Sequence, residues 1–256
     1  MRSRLLSALL WLLAFGCLWL PICADAPLRS GAYLQDVTTE AATVAMITPG
    51  PERLTCQVVD ASGATVASLA DAEPVRRHAF RVPGLRPSAA YRYELRAEGV
   101  LRGSGPLRTP PADDRAPVDF AFLGDSGGQP WWIWLQNAPA VHWLARTDWL
   151  PTRAEVTAVG AALAAADPQF VLHLGDLVYP NGRHAHYTTG FFRPFAEVLA
   201  RAPLYAVLGN HDLMDANGQQ MLANLHLPRG SVTGDGRCYS FAWGAVRVIA
   251  LHCDPK

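Results

Sequence analysis

The chain has 256 residues, 22 Lys and Arg against 22 Asp and Glu, with 50% hydrophobic and 17% charged residues. That is enough apolar material for one or two packed domains, which excludes a disordered tail or a collagen. The balanced charge and the lack of a basic run exclude a protein that holds nucleic acid by its phosphates, so no nucleic acid partner is expected.

Arg2 and Arg4 precede an apolar run over residues 5–20, which Pro21 breaks and Ala24-Asp25-Ala26 follows with a small-x-small pattern. Residues 1–26 therefore read as a signal peptide cleaved after Ala26, and the mature protein as exported to the periplasm or secreted. The run is shorter than the ~20 apolar residues that span a bilayer, so no stable membrane insertion is expected after cleavage. The five cysteines, at 17, 23, 56, 238 and 253, have neither the density of a disulfide scaffold nor the paired spacing of a structural zinc site. Cys238 and Cys253 joined in an oxidising compartment with Cys56 buried, or three reduced thiols, are both compatible with the mature chain.

Residues 27–109 carry short segments of alternating character at 42–48, 54–59, 78–82 and 91–97, separated by turn signals such as Ser62-Gly63 and Glu98-Gly99. Period-two alternation predicts half-buried strands, and their spacing predicts a small antiparallel sandwich without helices. Residues 110–117, proline-rich and charged, read as a linker with nothing to bury. From 118 to 256 the texture changes. Four continuous apolar runs, at 118–123, 170–174, 204–208 and 246–251, predict strands buried on both faces. Helical stretches at 153–166 and 191–201 alternate with them, which makes this second domain α/β.

The first three of these runs end alike: Gly124-Asp125-Ser126-Gly127, Gly175-Asp176-Leu177-Val178-Tyr179 and Gly209-Asn210-His211-Asp212. In α/β sheets the carboxyl ends of the strands face one crevice, so Asp125, Asp176 and Asn210 are expected to converge from three strands. Glycine before each lets the chain turn sharply there. Two carboxylates and an amide oxygen at one crevice repel or stay unsatisfied without a cation between them, which predicts a site for a hard metal ion.

These three motifs resemble the calcineurin-like metallophosphoesterases and, within them, the purple acid phosphatases. The first motif of the wider superfamily has Asp-x-His, whereas Gly127 stands at the histidine's place here and Tyr179 follows Asp176 by three residues. That pair of differences marks the purple branch. The resemblance implies hydrolysis of phosphate monoesters by an acid phosphatase at a dinuclear centre. Asp125 and Tyr179 would bind ferric iron, Asp176 would bridge, and Asn210 would bind a second divalent ion, Fe, Zn or Mn. His211 would support the ligands from behind or act as the general acid that protonates the leaving alkoxide, with Asp212 orienting it. The substrate would be a small phosphorylated molecule, and the phosphoesterase domain would have the four-layer αββα arrangement. The stretch from Leu85 to Tyr93 resembles the fibronectin type III pattern, with Tyr91 as its corner tyrosine. The order of sandwich, linker and α/β domain is similar to that of the larger purple acid phosphatases.

The family completes its site with histidines from a VxxH and a later GHxH motif, and neither follows Asn210 here. The resemblance thus implies a chain that is C-terminally incomplete by on the order of a hundred residues, ending within the domain at 118–256. Two alternatives stay open: a phosphodiesterase on the same metals, or a non-catalytic secreted binding protein if the chain truly ends at Lys256. His184 and His186 mimic GHxH superficially, as a substrate or substitute-ligand loop or a solvated one. His173, His226 and His252 read as packing or surface residues. Trp131, Trp132, Trp134, Trp143 and Trp149 read as a lid or substrate wall, or as a satellite core.

Overall fold

The computed structural model describes residues 27–113, 115–127, 154–229 and 234–252. The signal-like residues 1–26, the tryptophan-rich stretch and Cys253 lie outside these.

Seven strands form the N-terminal domain: β1 (Tyr33–Gln35), β2 (Ala42–Glu52), β3 (Thr55–Asp60), β4 (Thr65–Ala70), β5 (Val75–Val82), β6 (Ala90–Ala97) and β7 (Val100–Arg108). They pair antiparallel in two sheets, β1-β2-β5 and β4-β3-β6-β7. Alternation decides which side chains meet between the sheets. Phe80 and Val82 of β5, Cys56 and Val58 of β3, and Tyr91, Tyr93 and Leu95 of β6 are buried in one shared core, while their sequence neighbours face outward. The Tyr91 hydroxyl turns back to accept the Arg86 N–H at 2.8 Å, closing the corner that leads into β6.

The connection to the second domain is fixed, contrary to the expectation of a linker that buries nothing. Thr109 is buried, and its hydroxyl bonds the Arg86 carbonyl at 2.6 Å and accepts from Ala89 N at 3.0 Å. Pro110 O accepts the Ser88 N–H at 2.9 Å. A proline-rich segment loses little entropy on ordering, so these few bonds suffice to hold it.

The second domain has a parallel sheet in the order β10 (Leu204–Ala206), β9 (Phe170–His173), β8 (Phe120–Leu123), and an antiparallel hairpin of β11 (Tyr239–Trp243) and β12 (Val246–Ala250). Helix α1 (Ala154–Ala166) connects β8 to β9. The predicted helix at 191–201 is instead a π-helical turn, Thr188–Phe192, followed by the short α3 (Ala196–Leu199), both after the short α2 (His184–Tyr187). Its apolar side is spent on aromatic packing, with Phe191, Phe192 and Phe195 all buried.

Only β9 and β10 match the expectation of strands buried on both faces. In β8 Phe122 is 67% exposed, and in β12 Ile249 is 65% exposed, so these two present one open side among the described residues. At the start of β8 and β9 the packing is aromatic. Phe170 stacks on Phe120 and meets Phe241 and Tyr205 edge-on, and Tyr205 stacks on Phe241 at 3.6 Å. Tyr239 donates its hydroxyl to Ala206 O, and Trp243 donates its indole N–H to Gln169, so the hairpin is tied to the sheet by its polar tips as well.

The two domains are joined by buried bonds. Gln35 donates to Leu204 O at 2.8 Å and accepts from His226 N, Tyr33 donates to Asn224 O, Tyr93 to Ala200 O and Tyr205 to Val37 O. Among the described residues no helix is long and apolar enough to cross a membrane.

Candidate metal centre

The parallel register sets β8 and β9 side by side, Leu123 opposite His173, so the loops carrying Asp125 and Asp176 leave the sheet together. Both aspartates have left-handed backbone conformations, with φ of 51° and 56°. Such conformations cost an L-residue free energy and persist where the surroundings enforce them. Here the enforcing contacts are close backbone approaches. A Cβ on Gly209 would lie 2.4 Å from Asp176 N, and one on Gly175 2.6 Å from Gly209 N. The second and third motifs therefore touch through two glycines that admit no side chain.

Tyr179 joins the first two motifs. Its hydroxyl is 2.5 Å from Asp125 Oδ1 and 3.1 Å from Asp176 Oδ2. A phenol has one hydrogen for two carboxylates, and neither carboxylate is paired with a basic side chain among the described residues. Burial, reinforced by hydrogen bonds and charge from Asp125 and Asp176, pushes the Tyr179 hydroxyl well above the ordinary tyrosine range. Gly127 makes room for this ring: a Cβ there would meet Tyr179 Cδ2 at 2.9 Å and Val178 Cα at 2.8 Å. The absence of a side chain in the first motif and the presence of Tyr179 in the second are one packing solution.

Two carboxylates and a phenol, all oxygen donors with uncompensated negative charge, fit a hard, highly charged cation. The described residues hold no group of three His, Cys, Asp or Glu side chains of the kind that binds a metal, so the oxygen donors brought together are those of Asp125, Asp176 and Tyr179. Asn210 opens the short α4 (Asn210–Leu213), where its side chain is exposed. The backbone N–H of His211 donates to Asp176 Oδ1 at 2.8 Å, fixing that carboxylate from the third motif.

Two expectations need correction. The His211 ring is oriented by Pro180, not by Asp212: its Nδ1 lies 2.8 Å from the Pro180 carbonyl. A carbonyl only accepts, so Nδ1 carries a hydrogen and Nε2 is the atom left for chemistry. The ring also packs on Tyr179, centroids 4.4 Å apart. Asp212, fully buried, instead accepts the backbone N–H groups of Asp176, Leu177 and Gly209 at 2.8, 3.2 and 3.0 Å. It clamps the second motif to the third. Burial raises its carboxyl to about 6, against the pull of those three amides.

The loop after Tyr179 packs on the third motif, through Pro180 on His211 and Gly182 on Asp212. His184 bonds Arg77 of β5 at 3.2 Å and Asn224 at 3.1 Å, which sets it at the junction between domains, and His186 is buried. His226 N bonds Gln35 at that same junction, and His252 N lies 3.4 Å from Cys238 Sγ. Cys56 and Cys238 are free thiols. His173, expected to be a packing or surface residue, is buried. It lies at the end of β9 with Nε2 2.7 Å from Ser126 Oγ, and its spacing of three residues before Asp176 was the one available signal.

A model of the calcineurin-like phosphoesterase family matches residues 119–252. The chain belongs to the calcineurin-like phosphoesterase family. Two solved structures share the fold of this calcineurin-like phosphoesterase. Purple acid phosphatase PPD1 from yellow lupin (Lupinus luteus) seeds is 14% identical, with a TM-score of 0.65 over 88% of this chain and 45% of that one. PhoD is 15% identical, with a TM-score of 0.58 over 86% of this chain and 51% of that one. The chain thus spans about half the length of each. No curated protein sequence matches it.

Proposed function

We propose that this chain is an exported acid phosphatase that hydrolyses phosphate monoesters at a dinuclear centre of ferric iron and a second divalent metal, Fe, Zn or Mn. The observation that carries this reading is the Tyr179 hydroxyl set between Asp125 and Asp176, with no basic side chain paired to either carboxylate among the described residues. Asp125 and Tyr179 would hold the ferric ion, Asp176 would bridge, and Asn210 would hold the second metal. When bound, two such ions hold phosphate oxygens, lower the pKa of water and offset charge in an in-line displacement. His211, carrying hydrogens on both ring nitrogens, would donate the one on Nε2 to the departing alkoxide, while its Nδ1–H stays on Pro180 O and keeps the ring aimed. Asp212 acts through the backbone, holding the Asp176 and Gly209 loops in contact.

The N-terminal sandwich we read as fibronectin type III-like, on the support of its three-plus-four strands and the Tyr91 corner. Export rests on residues 1–26, and the intact mass of the protein from its own cells tests it: loss of those residues is the expected result.

The activity is tested on the full chain loaded with ferric iron and zinc, assayed on p-nitrophenyl phosphate and its bis-ester. Faster turnover of the monoester is expected, together with a visible absorption band that Tyr179→Phe abolishes. Metal uptake unchanged by Asp176→Asn overturns the reading. Preference for the bis-ester would replace it with a phosphodiesterase on the same residues.

A further inference from the structure

Ser126 and His173 form a pair behind the crevice that none of the roles above uses. Ser126 follows Asp125 on the loop leaving β8, and His173 ends the neighbouring β9. Their side chains meet at 2.7 Å, Ser126 Oγ to His173 Nε2. His173 is 1% exposed, its ring set edge-on to Phe191 at 5.8 Å between centroids, and its buried Nδ1 has no hydrogen-bond partner among the described residues. Burial holds the imidazole pKa down to about 3 despite the charge of Asp125, so the ring is neutral at physiological pH.

A neutral imidazole has one N–H and one bare nitrogen. With the hydrogen on Nδ1 the fold would bury an orphaned N–H, which native structures scarcely contain; with the hydrogen on Nε2 only an acceptor is left unsatisfied. The second tautomer is therefore the stable one, and Nε2 donates to Ser126 Oγ. The Ser126 oxygen is thereby used as an acceptor, and its own O–H has no acceptor among the described residues. Ser126 is half-buried beside the exposed Asp125, and the next residue, Gly127, packs against Tyr179. The spare donor thus borders the same crevice as the two carboxylates.

We propose that Ser126 is a binding residue for the phosphoryl oxygens of the substrate, donating its hydroxyl hydrogen to them, and that His173 is the positioning residue that turns this hydroxyl outward. The assignment rests on the phosphatase reading and names one of its substrate contacts. A hydroxyl donor to an anionic oxygen is stronger than one to a neutral acceptor, and losing it typically weakens binding about ten- to a hundredfold.

The test uses the full chain and two readouts. ¹⁵N NMR of His173 should show Nε2 protonated and Nδ1 bare in the wild type; the opposite assignment overturns the orienting role. Equilibrium dialysis of inorganic phosphate against the metal-loaded protein should show about tenfold or greater weakening in Ser126→Ala, near wild-type affinity in Ser126→Thr, and weakening in His173→Phe that His173→Gln partly restores. Metal content is measured in each variant. Wild-type phosphate binding with an unaffected Ser126→Ala overturns this proposal and leaves the phosphatase reading standing. Loss of metal along with phosphate in Ser126→Ala moves Ser126 to metal retention and overturns it too. A metal-loaded wild type that binds no phosphate overturns both.

Discussion

A Cβ placed on Gly127 would stand 2.9 Å from Cδ2 of the Tyr179 ring and 2.8 Å from Cα of Val178. The first motif can therefore carry no side chain at this position while the second carries its tyrosine. Gly127→Ala is expected to destabilise the protein by about 1–3 kcal/mol, since one of the two obstructing atoms is backbone and cannot turn away. Thermal unfolding measures the cost. The double variant Gly127→Ala, Tyr179→Ala should show a coupling of opposite sign to the two single costs, because the ring half of the clash disappears.

Tyr179 keeps its proton in the metal-free chain because burial and two carboxylates oppose the phenolate. The raised pKa contributes stability that is complete below the unfolded tyrosine value near 10 and is lost as pH rises beyond it. Ultraviolet titration of the wild type and of Tyr179→Phe should accordingly coincide up to that pH. Ferric iron should reverse this by displacing the proton at neutral pH, so that one proton is released per iron bound in the wild type and fewer in Tyr179→Phe.

Asp212 carries the opposite lesson about burial. Its carboxyl titrates near 6 when folded, above its ordinary value of 3.8, so the folded state binds the extra proton between those two values. Its contribution to stability is present below about pH 4 and falls as pH rises to 6. In metal-free protein this part of the pH slope should vanish in Asp212→Asn. Asp212→Ala, which leaves the amides of Gly209, Asp176 and Leu177 without their acceptor, is expected to cost on the order of 3 kcal/mol below about pH 4 and less as pH rises to 6. Denaturant unfolding from pH 4 to pH 8 checks both.

Gln35 is fully buried on β1 and bonds two backbone groups of the other domain, Leu204 O and His226 N. Gln35→Leu should therefore destabilise the junction by about 2 kcal/mol, leaving one buried carbonyl and one buried N–H unpaired. The expected signature in denaturant is a single transition that splits into two, since the domains then lose a bond that couples their unfolding.

The strands of the first domain were legible because alternation is a local property: residues 91–97 read as half-buried, and β6 runs Ala90–Ala97 with every second side chain inside. The three glycine-headed motifs were legible for a similar reason, each being a short run at the end of an apolar strand. Less legible was the helix expected at 191–201, where the backbone forms a π-helical turn over Thr188–Phe192 and Phe191 and Phe192 are buried. Apolar content alone also suggested that 118–123 and 246–251 were buried on both faces, whereas Phe122 and Ile249 are open on one. Composition records that a strand is apolar and is silent about which neighbour covers it.

The amino-acid sequence by itself determined the two textures of the chain, the family it belongs to and the oxygen-rich motifs at the ends of three strands, because strand period, turn residues and motif spacing are written within a few residues of one another. The tertiary structure decided which groups touch. That Pro180, and not Asp212, orients His211, that Asp212 clamps the backbone amides of Asp176 and Leu177, and that His173 stands behind Ser126 depend on contacts across 31 to 47 residues of chain. Such contacts are set by the packing of whole loops against one another, where a glycine with no room for a Cβ decides the geometry more than the side chain beside it.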